Sequence, residues 1–261
     1  VTGTFHNILT MRGAKARDAL RWSQVVDEIL LEFSDEAEVL FASHHWPVWK
    51  KDEVEQHLRL HRNLYRRLHD QTLRLANSGA TIDEISALLQ PLSFQEDELS
   101  VRNFYGTTEH NVKGVYLFYF GWWDGVPANF YRHPPEARAK RFIESIGGVD
   151  KAIEIGKSAF NEGDYRWAAE VFNAAVFAGN EGEAHEWLAA TYEQLGFQAE
   201  SGAWRNYFLS AASELRSGER AGSRIGEGTT AFVATIPTGV LFDALVTRYT
   251  PRKIDRDPFT L

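Results

Sequence analysis

No cysteine occurs among the 261 residues. Disulfides and thiolate metal sites are therefore excluded, and any metal must be held by histidine and carboxylate side chains. The same absence suits the cytoplasm and the bacterial periplasm equally well. No apolar run approaches the ~20 residues of a membrane-spanning helix. Basic residues are in deficit, 28 Lys and Arg against 36 Asp and Glu, which leaves a net charge of −8. That balance argues against nonspecific nucleic-acid binding, which needs a basic surface. It does not exclude an anionic substrate, because a local basic pocket can oppose the overall sign. The chain opens Val1-Thr-Gly-Thr-Phe-His6, with neither an initiator methionine nor the pattern of a signal peptide.

What is present is ordinary for a globular chain of one large domain or two: 44% hydrophobic and 25% charged residues. Phe5 to Leu9 reads as a short apolar strand or loop. Trp22, Val25, Val26, Ile29, Leu30 and Phe33 recur at helical spacing within Ala14–Phe33. Residues 38–43 then read as a buried strand that runs into His44-His45-Trp46-Pro47, and loops after strands are where α/β proteins place their chemistry. Asp52 with Glu55 suggests a capping box ahead of a long helix carrying Val54, Leu58, His61, Tyr65, Leu68, Thr72 and Leu75 on one stripe. Asn77-Ser-Gly79 ends it. Thr81 and Glu84 form a second capping box for a short helix to Leu89, and residues 93–100 read as an acidic connector.

Beyond Tyr105 the aromatic run Tyr116 to Trp123 reads as helix core. Helices are expected at roughly 135–146, 150–161, 165–178, 182–195 and 201–215, punctuated by glycines at 147, 148, 163, 179 and 196. The stretches beginning at Gly163 and Gly196 stand about one tetratricopeptide period apart. Two copies are fewer than the three or so that a free solenoid needs, so these helices must bury their faces on something else. Residues 217–228 read as a Gly/Ser/Arg linker, and 236–245 as a new amphipathic helix.

Several strings resemble the alkyl sulfatases of the metallo-β-lactamase superfamily. They include His6-Asn-Ile-Leu-Thr-Met-Arg-Gly-Ala14, Glu38-Val-Leu-Phe-Ala-Ser-His-His-Trp-Pro47, Tyr105-Gly-Thr107, Gly121-Trp-Trp-Asp-Gly125, Gly163-Asp-Tyr-Arg-Trp167 and Gln198-Ala-Glu-Ser-Gly-Ala-Trp-Arg-Asn206. They fall in the family's order from Val1 to about Ser217, and more weakly through Tyr249. The resemblance implies a mainly α chain. Residues 1–98 would be the C-terminal portion of an α/β metallo-β-lactamase-like catalytic domain. Residues 99–218 would form an all-helical, tetratricopeptide-like dimerisation domain, and 219–261 a linker and the start of a sterol-carrier-like domain. Two departures matter. The His-x-His-x-Asp-His motif that supplies most zinc ligands in the superfamily does not occur in the sequence, and the family's metal-binding glutamates are expected upstream of Val1.

The resemblance leaves His44 as one zinc ligand of a two-zinc centre, with His45 the alternative. From spacing alone a loop histidine satisfied by backbone is the simpler reading. Arg62 lies in a basic run, His57 to His69, most of which suits a solvated helix face. By family position Arg62 becomes the sulfate clamp, where a guanidinium binds oxygens bidentately. Tyr105 resembles the family's active-site tyrosine, against a plain core role. His6 has two candidate actions on sulfate, as a hydrogen-bond donor or as the acid for the leaving oxygen, against no special role. His110, Asn111 and Arg12 are weaker candidates for support. The function implied is zinc-dependent hydrolysis of alkyl sulfates such as dodecyl sulfate. It would take place in a homodimer, with a companion chain or upstream segment supplying the missing ligands, and a periplasmic or secreted setting is favoured. The rival is a noncatalytic helical dimerisation and interaction module.

Overall fold

The structure, a computed structural model, describes residues 2–180, 182–218 and 234–246. It divides into two compact units, Val1–Ser217 and Gly218–Leu261. The boundary expected near residue 98 falls within the first unit. The linker expected at 217–228 lies largely outside the described residues, as does everything after Val246 in the expected third domain.

The described chain is mainly α, as the resemblance implies. Helix α1 spans Ala19–Phe33, and Asp18 caps it by accepting from the Arg21 N–H. Its inner face, Val26 and Leu30, meets Val54 and Leu58 of α2, which spans Lys51–Asn77. The next turns of α2, Leu64, Tyr65 and Leu68, pack on Phe5, Ile8, Val112 and Val115. Each such side chain contributes about 1.5–3 kcal/mol when fully buried. The stripe expected on this helix is therefore the face that builds two adjoining cores.

Several expectations need correction here. The strand expected over 38–43 is only Val39–Leu40 (β1), paired antiparallel with Val48–Trp49 (β2). It is not buried: Val39 is 40% and Phe41 77% exposed. Among the described residues this pair has no further strand beside it, while Leu40 and Val48 pack against the core between α1 and α2. Helix α2 begins one residue before Asp52. Its N-cap is Lys50, at φ 74° and without a side-chain cap, so the capping box expected from Asp52 and Glu55 does not form. The acidic connector folds as α4, Ser93–Asp97, and a 3-10 turn, Leu99–Val101. Before it lies α3, Ile82–Leu88, where Thr81 and Glu84 do make the expected box.

Helix α5, Thr108–Phe120, starts at a Thr107 cap and ends before Trp122 and Trp123; of the aromatic run expected as helix core only Tyr116 is buried, while Phe118, Tyr119, Phe120, Trp122 and Trp123 are exposed. After the short α6, Pro127–Phe130, come α7 (Pro135–Ser145), α8 (Val149–Glu162), α9 (Tyr165–Phe177), α10 (Glu183–Gln198) and α11 (Gly202–Ser217). Gly163, at φ 82°, closes α8 in the left-handed conformation that glycine adopts freely. Gly196 does something else. It lies inside α10, where an added Cβ would come within 2.9 Å of Leu209. That glycine is a close-approach position between two helices and not a helix end. In the second unit, described by itself, α12 spans Thr238–Val246, close to the helix expected there.

Candidate functional site

Segment 5–8 is fixed before it can present any side chain. The Phe5 N–H donates to Ser100 O at 2.7 Å, and Gly106 N–H to Phe5 O at 2.9 Å. The His6 N–H donates to the hydroxyl of Tyr65 at 3.0 Å. Asn111, fully buried on α5, closes the grip from the other side. Its Oδ1 accepts from Ile8 N–H at 2.6 Å, and its Nδ2 donates to His6 O at 2.8 Å. His110 Nε2 adds a contact to Leu9 O at 2.5 Å. The backbone groups on both sides of His6 are thus satisfied by side chains from α2 and α5, which leaves little freedom in where its ring can sit.

The ring of His6 stands edge-on to Tyr105, with centroids 4.9 Å apart. Tyr105 is itself anchored through its carbonyl, which accepts from Ser201 Oγ at 2.8 Å just ahead of α11. Both side chains line one cavity of about 760 Å³, together with His44, His45, Arg12, Arg17 and several threonines. Three of the four expected site residues, His6, His44 and Tyr105, therefore share a wall.

Arg62 does not. Its Nη1 donates to Asp27 Oδ1 at 2.7 Å and its Nε to Asn63 at 3.0 Å. The reason is helical geometry. One residue past the buried His61, Arg62 is turned about 100° around α2, toward α1. The rest of the basic run divides in the same way. His57, His61 and His69 are buried, whereas Arg59 and Arg66 pair with Glu55 and Asp70 one turn away. The guanidinium groups that reach the cavity are those of Arg12 and Arg17. Arg17 donates to Asn7 O at 2.5 Å, which ties it to the same fixed segment.

Burial lowers the pKa of His6, and the positive charges of Arg17, His44 and His45 lower it further. A contact with the Asn7 carbonyl opposes this. Since a carbonyl can only accept, Nδ1 carries the proton and the neutral ring keeps Nε2 as an acceptor. An anion entering the cavity would offset the surrounding positive charge and favour the protonated ring.

The two loop histidines differ in commitment. His45 Nε2 lies 2.9 Å from Thr4 Oγ1, and its backbone is held at φ 74°. The His44 side chain makes no hydrogen bond among the described residues and is exposed on the cavity wall. Its uncommitted imidazole suits one metal ligand. Among the described residues no three His, Cys, Asp or Glu side chains come together to complete a metal site.

Residues 81–218 match the alkyl sulfatase dimerisation family. The chain belongs to that family. Its relatives include a linear primary-alkylsulfatase of Pseudomonas sp., 45% identical over 83% of this chain and 32% of that protein. Another is the alkyl/aryl-sulfatase BDS1 of Saccharomyces cerevisiae, 40% identical over 98% of this chain and 39% of that protein. Among solved structures, the stereoselective inverting sec-alkylsulfatase Pisa1 from Pseudomonas sp. superposes with a TM-score of 0.87 at 36% identity, over 94% of this chain and 38% of that one. The chain thus spans about a third of the length of the curated relatives it matches.

Proposed function

We propose that this chain forms part of an alkyl sulfatase, which adds water across a sulfate ester to give an alcohol and sulfate. The observation that carries the reading is the single cavity joining His6, His44 and Tyr105 with two arginines, in a chain whose relatives are named alkylsulfatases. A purely structural dimerisation module would have no need of such a grouping. In this reading residues 1–98 close a metallo-β-lactamase-like catalytic domain, 99–218 form the homodimer contact, and 219–261 open a sterol-carrier-like domain.

His44 would hold zinc as one ligand, with the remaining ligands on polypeptide outside this chain. Zinc, when bound, supplies Lewis-acid charge that offsets the negative charge of the sulfate. The other roles belong to this chain's own groups. Arg12 and Arg17 attract the sulfate oxygens and orient them. The Tyr105 hydroxyl donates a hydrogen bond to the same group. His6, with Nδ1–H directed to Asn7 O, holds a proton on Nε2 once the anion is in place. It passes that proton to the departing ester oxygen, which as an alkoxide is a poor leaving group.

A chain with one metal ligand does not hold a catalytic zinc. The purified chain with added zinc is therefore expected to release no sulfate from dodecyl sulfate, and to gain that activity when joined by the missing polypeptide. Turnover by the chain alone, or a full assembly that hydrolyses phosphodiesters or lactams and leaves alkyl sulfates intact, overturns the proposal.

A further inference from the structure

Among the described residues, none between Tyr116 and Ala139 is buried, although the stretch carries Phe118, Phe120, Trp122, Trp123, Phe130 and Tyr131. Helix α5 packs on the core through Val112, Val115 and Tyr116, and its last turn runs out beyond that core. The stretch is nevertheless held in shape. The Tyr119 hydroxyl lies 3.0 Å from His69 Nε2 on α2, and His69 Nδ1 lies 2.7 Å from Asp70 Oδ1. Gly121 and Gly125, at φ 77° and 82°, turn the chain in a conformation open to glycine. Asp124 closes the turn, accepting from Val126 N–H at 3.0 Å and from Asn129 Nδ2. Phe130 of α6 then stacks on Trp122 and meets Trp123 edge-on, at centroid distances of 6.0 and 5.7 Å. The rings face outward all the same: Trp122 is 69%, Phe130 61% and Tyr131 95% exposed. At ~150–250 Å² per aromatic side chain, the exposed parts of the six rings come to roughly 500–900 Å². A soluble monomer rarely shows a contiguous apolar patch above ~300–600 Å². A standard protein interface takes about 800 Å² from each partner.

We propose that this aromatic surface, from the end of α5 through α6, is the centre of the homodimer contact. It would face the same surface of a second copy across a twofold axis. This placement rests on the homodimer of the reading above and names the face that makes it. The stretch lies inside residues 81–218, the part that matches the dimerisation family. Helices α8 to α11 of that part already bury their facing sides on one another, around Ala159, Phe172 and Leu188. Cover for the aromatic stretch must come from outside. The polypeptide expected upstream of Val1 belongs at another place. In the proposed reading it extends the sheet begun by β1 and β2, which rests on Val54 and Leu58 near the start of α2. His69, the anchor of the aromatic stretch, lies about 22 Å further along that helix than Val54, at ~1.5 Å per residue. A second copy is therefore the occupant that both the area and the position favour.

The test is sedimentation of the full chain across a concentration series. The expected result is a reversible dimer and no larger species, because a contact that faces itself closes at two. Trp122→Asp and Phe130→Ser should each weaken that dimer about tenfold or more, as loss of a central aromatic anchor does. Trp122→Phe, which keeps a ring, should restore most of the affinity. Phe41→Ser beside the strand pair and Phe197→Ser on α10 should leave the dimer unaltered. Where Trp122→Asp or Phe130→Ser unfolds the chain, Tyr131→Asp at its highly exposed position replaces it, and should also weaken the dimer. A dimer unchanged by the Trp122, Phe130 and Tyr131 variants overturns the proposal and leaves the homodimer reading standing. So does a dimer lost equally in Phe41→Ser or Phe197→Ser. A chain that stays monomeric throughout overturns both the proposal and the homodimer reading. An open series of larger oligomers overturns the proposal as well. Sulfate ester hydrolysis is read by turnover and stands or falls apart from all of these.

Discussion

Asn111 holds Ile8 across 103 residues of sequence: its Oδ1 accepts the Ile8 N–H at 2.6 Å while its Nδ2 reaches the His6 carbonyl. One buried amide thus satisfies two backbone groups of the segment that carries His6. Replacing it should affect both stability and placement of His6. Asn111→Ala leaves a buried N–H and C=O without partners, an expected loss of about 2–4 kcal/mol in urea unfolding. Asn111→Asp, which keeps only the acceptor, should fall in between.

Tyr65 acts on the same segment from α2. Its hydroxyl accepts from the His6 N–H, its ring stacks on Trp22 at 4.5 Å, and burial pushes its own pKa up well beyond the ordinary tyrosine range. Tyr65→Phe keeps the stack and removes only the acceptor. The expected cost is about 1–3 kcal/mol of stability. A variant indistinguishable from the parent in unfolding would show that the His6 N–H finds another partner.

Gly106 tests how closely the Tyr105 segment approaches segment 5–8. An added Cβ would sit 2.6 Å from the carbonyl carbon and oxygen of His6. Backbone cannot yield as a side-chain tip can, so Gly106→Ala should cost about 1–3 kcal/mol and separate the His6 and Tyr105 rings. Thermal unfolding together with the NMR shifts of the His6 ring checks both effects.

His61 makes stability depend on pH. Its pKa is lowered to about 3, chiefly by burial and also by the stacked ring of His57, 4.3 Å away. Its Nε2 has no hydrogen-bond partner in the core. The unfolded chain takes up this proton near pH 6.5 and the folded chain only near 3. The stabilising contribution is therefore complete above pH 6.5 and is lost as pH falls through that window, at about 1.4 kcal/mol per pH unit for one proton. His57 and His6, also lowered by burial, act in the same direction. Urea unfolding at pH 7.5 and pH 5 should show the fall, and His61→Leu should flatten it. Equal slopes in parent and variant would contradict this account.

The fold was legible where a single helix carries its own signal. Thr81 with Glu84, the α2 stripe through Leu68, and Gly163 all behave as their sequence patterns indicate. The site was legible only in part. His6, His44 and Tyr105 line one cavity, but His6 and Tyr105 are held there through Tyr65, Asn111 and Ser201, contacts across 59, 105 and 96 positions that no local pattern encodes. Tyr65 could have been suspected, since a tyrosine on a buried stripe needs a partner for its hydroxyl. Arg62 pairs with Asp27 away from that cavity, and a run of basic residues does not say which face of the helix each one occupies. The strand expected at 38–43 shortens to Val39–Leu40, with Leu40 packed on the core and Phe41 exposed.

Arg62 and Arg12 can be separated directly. The pair between Arg62 and Asp27 is partly exposed, so Arg62→Ala should cost no more than about 1 kcal/mol of stability. It should leave KM for an alkyl sulfate unchanged in the assembled enzyme, whereas Arg12→Ala should raise it. The opposite outcome would restore Arg62 as the clamp.

In the proposed reading, His44 lends one imidazole to a zinc centre finished by other polypeptide. Zinc content and dodecyl sulfate turnover of the assembled enzyme, measured with His44→Ala and His45→Ala in parallel, test it most directly. His44→Ala should lose bound zinc and at least 100-fold in kcat, while His45→Ala should retain its metal. Full zinc occupancy and undiminished turnover in His44→Ala would contradict it.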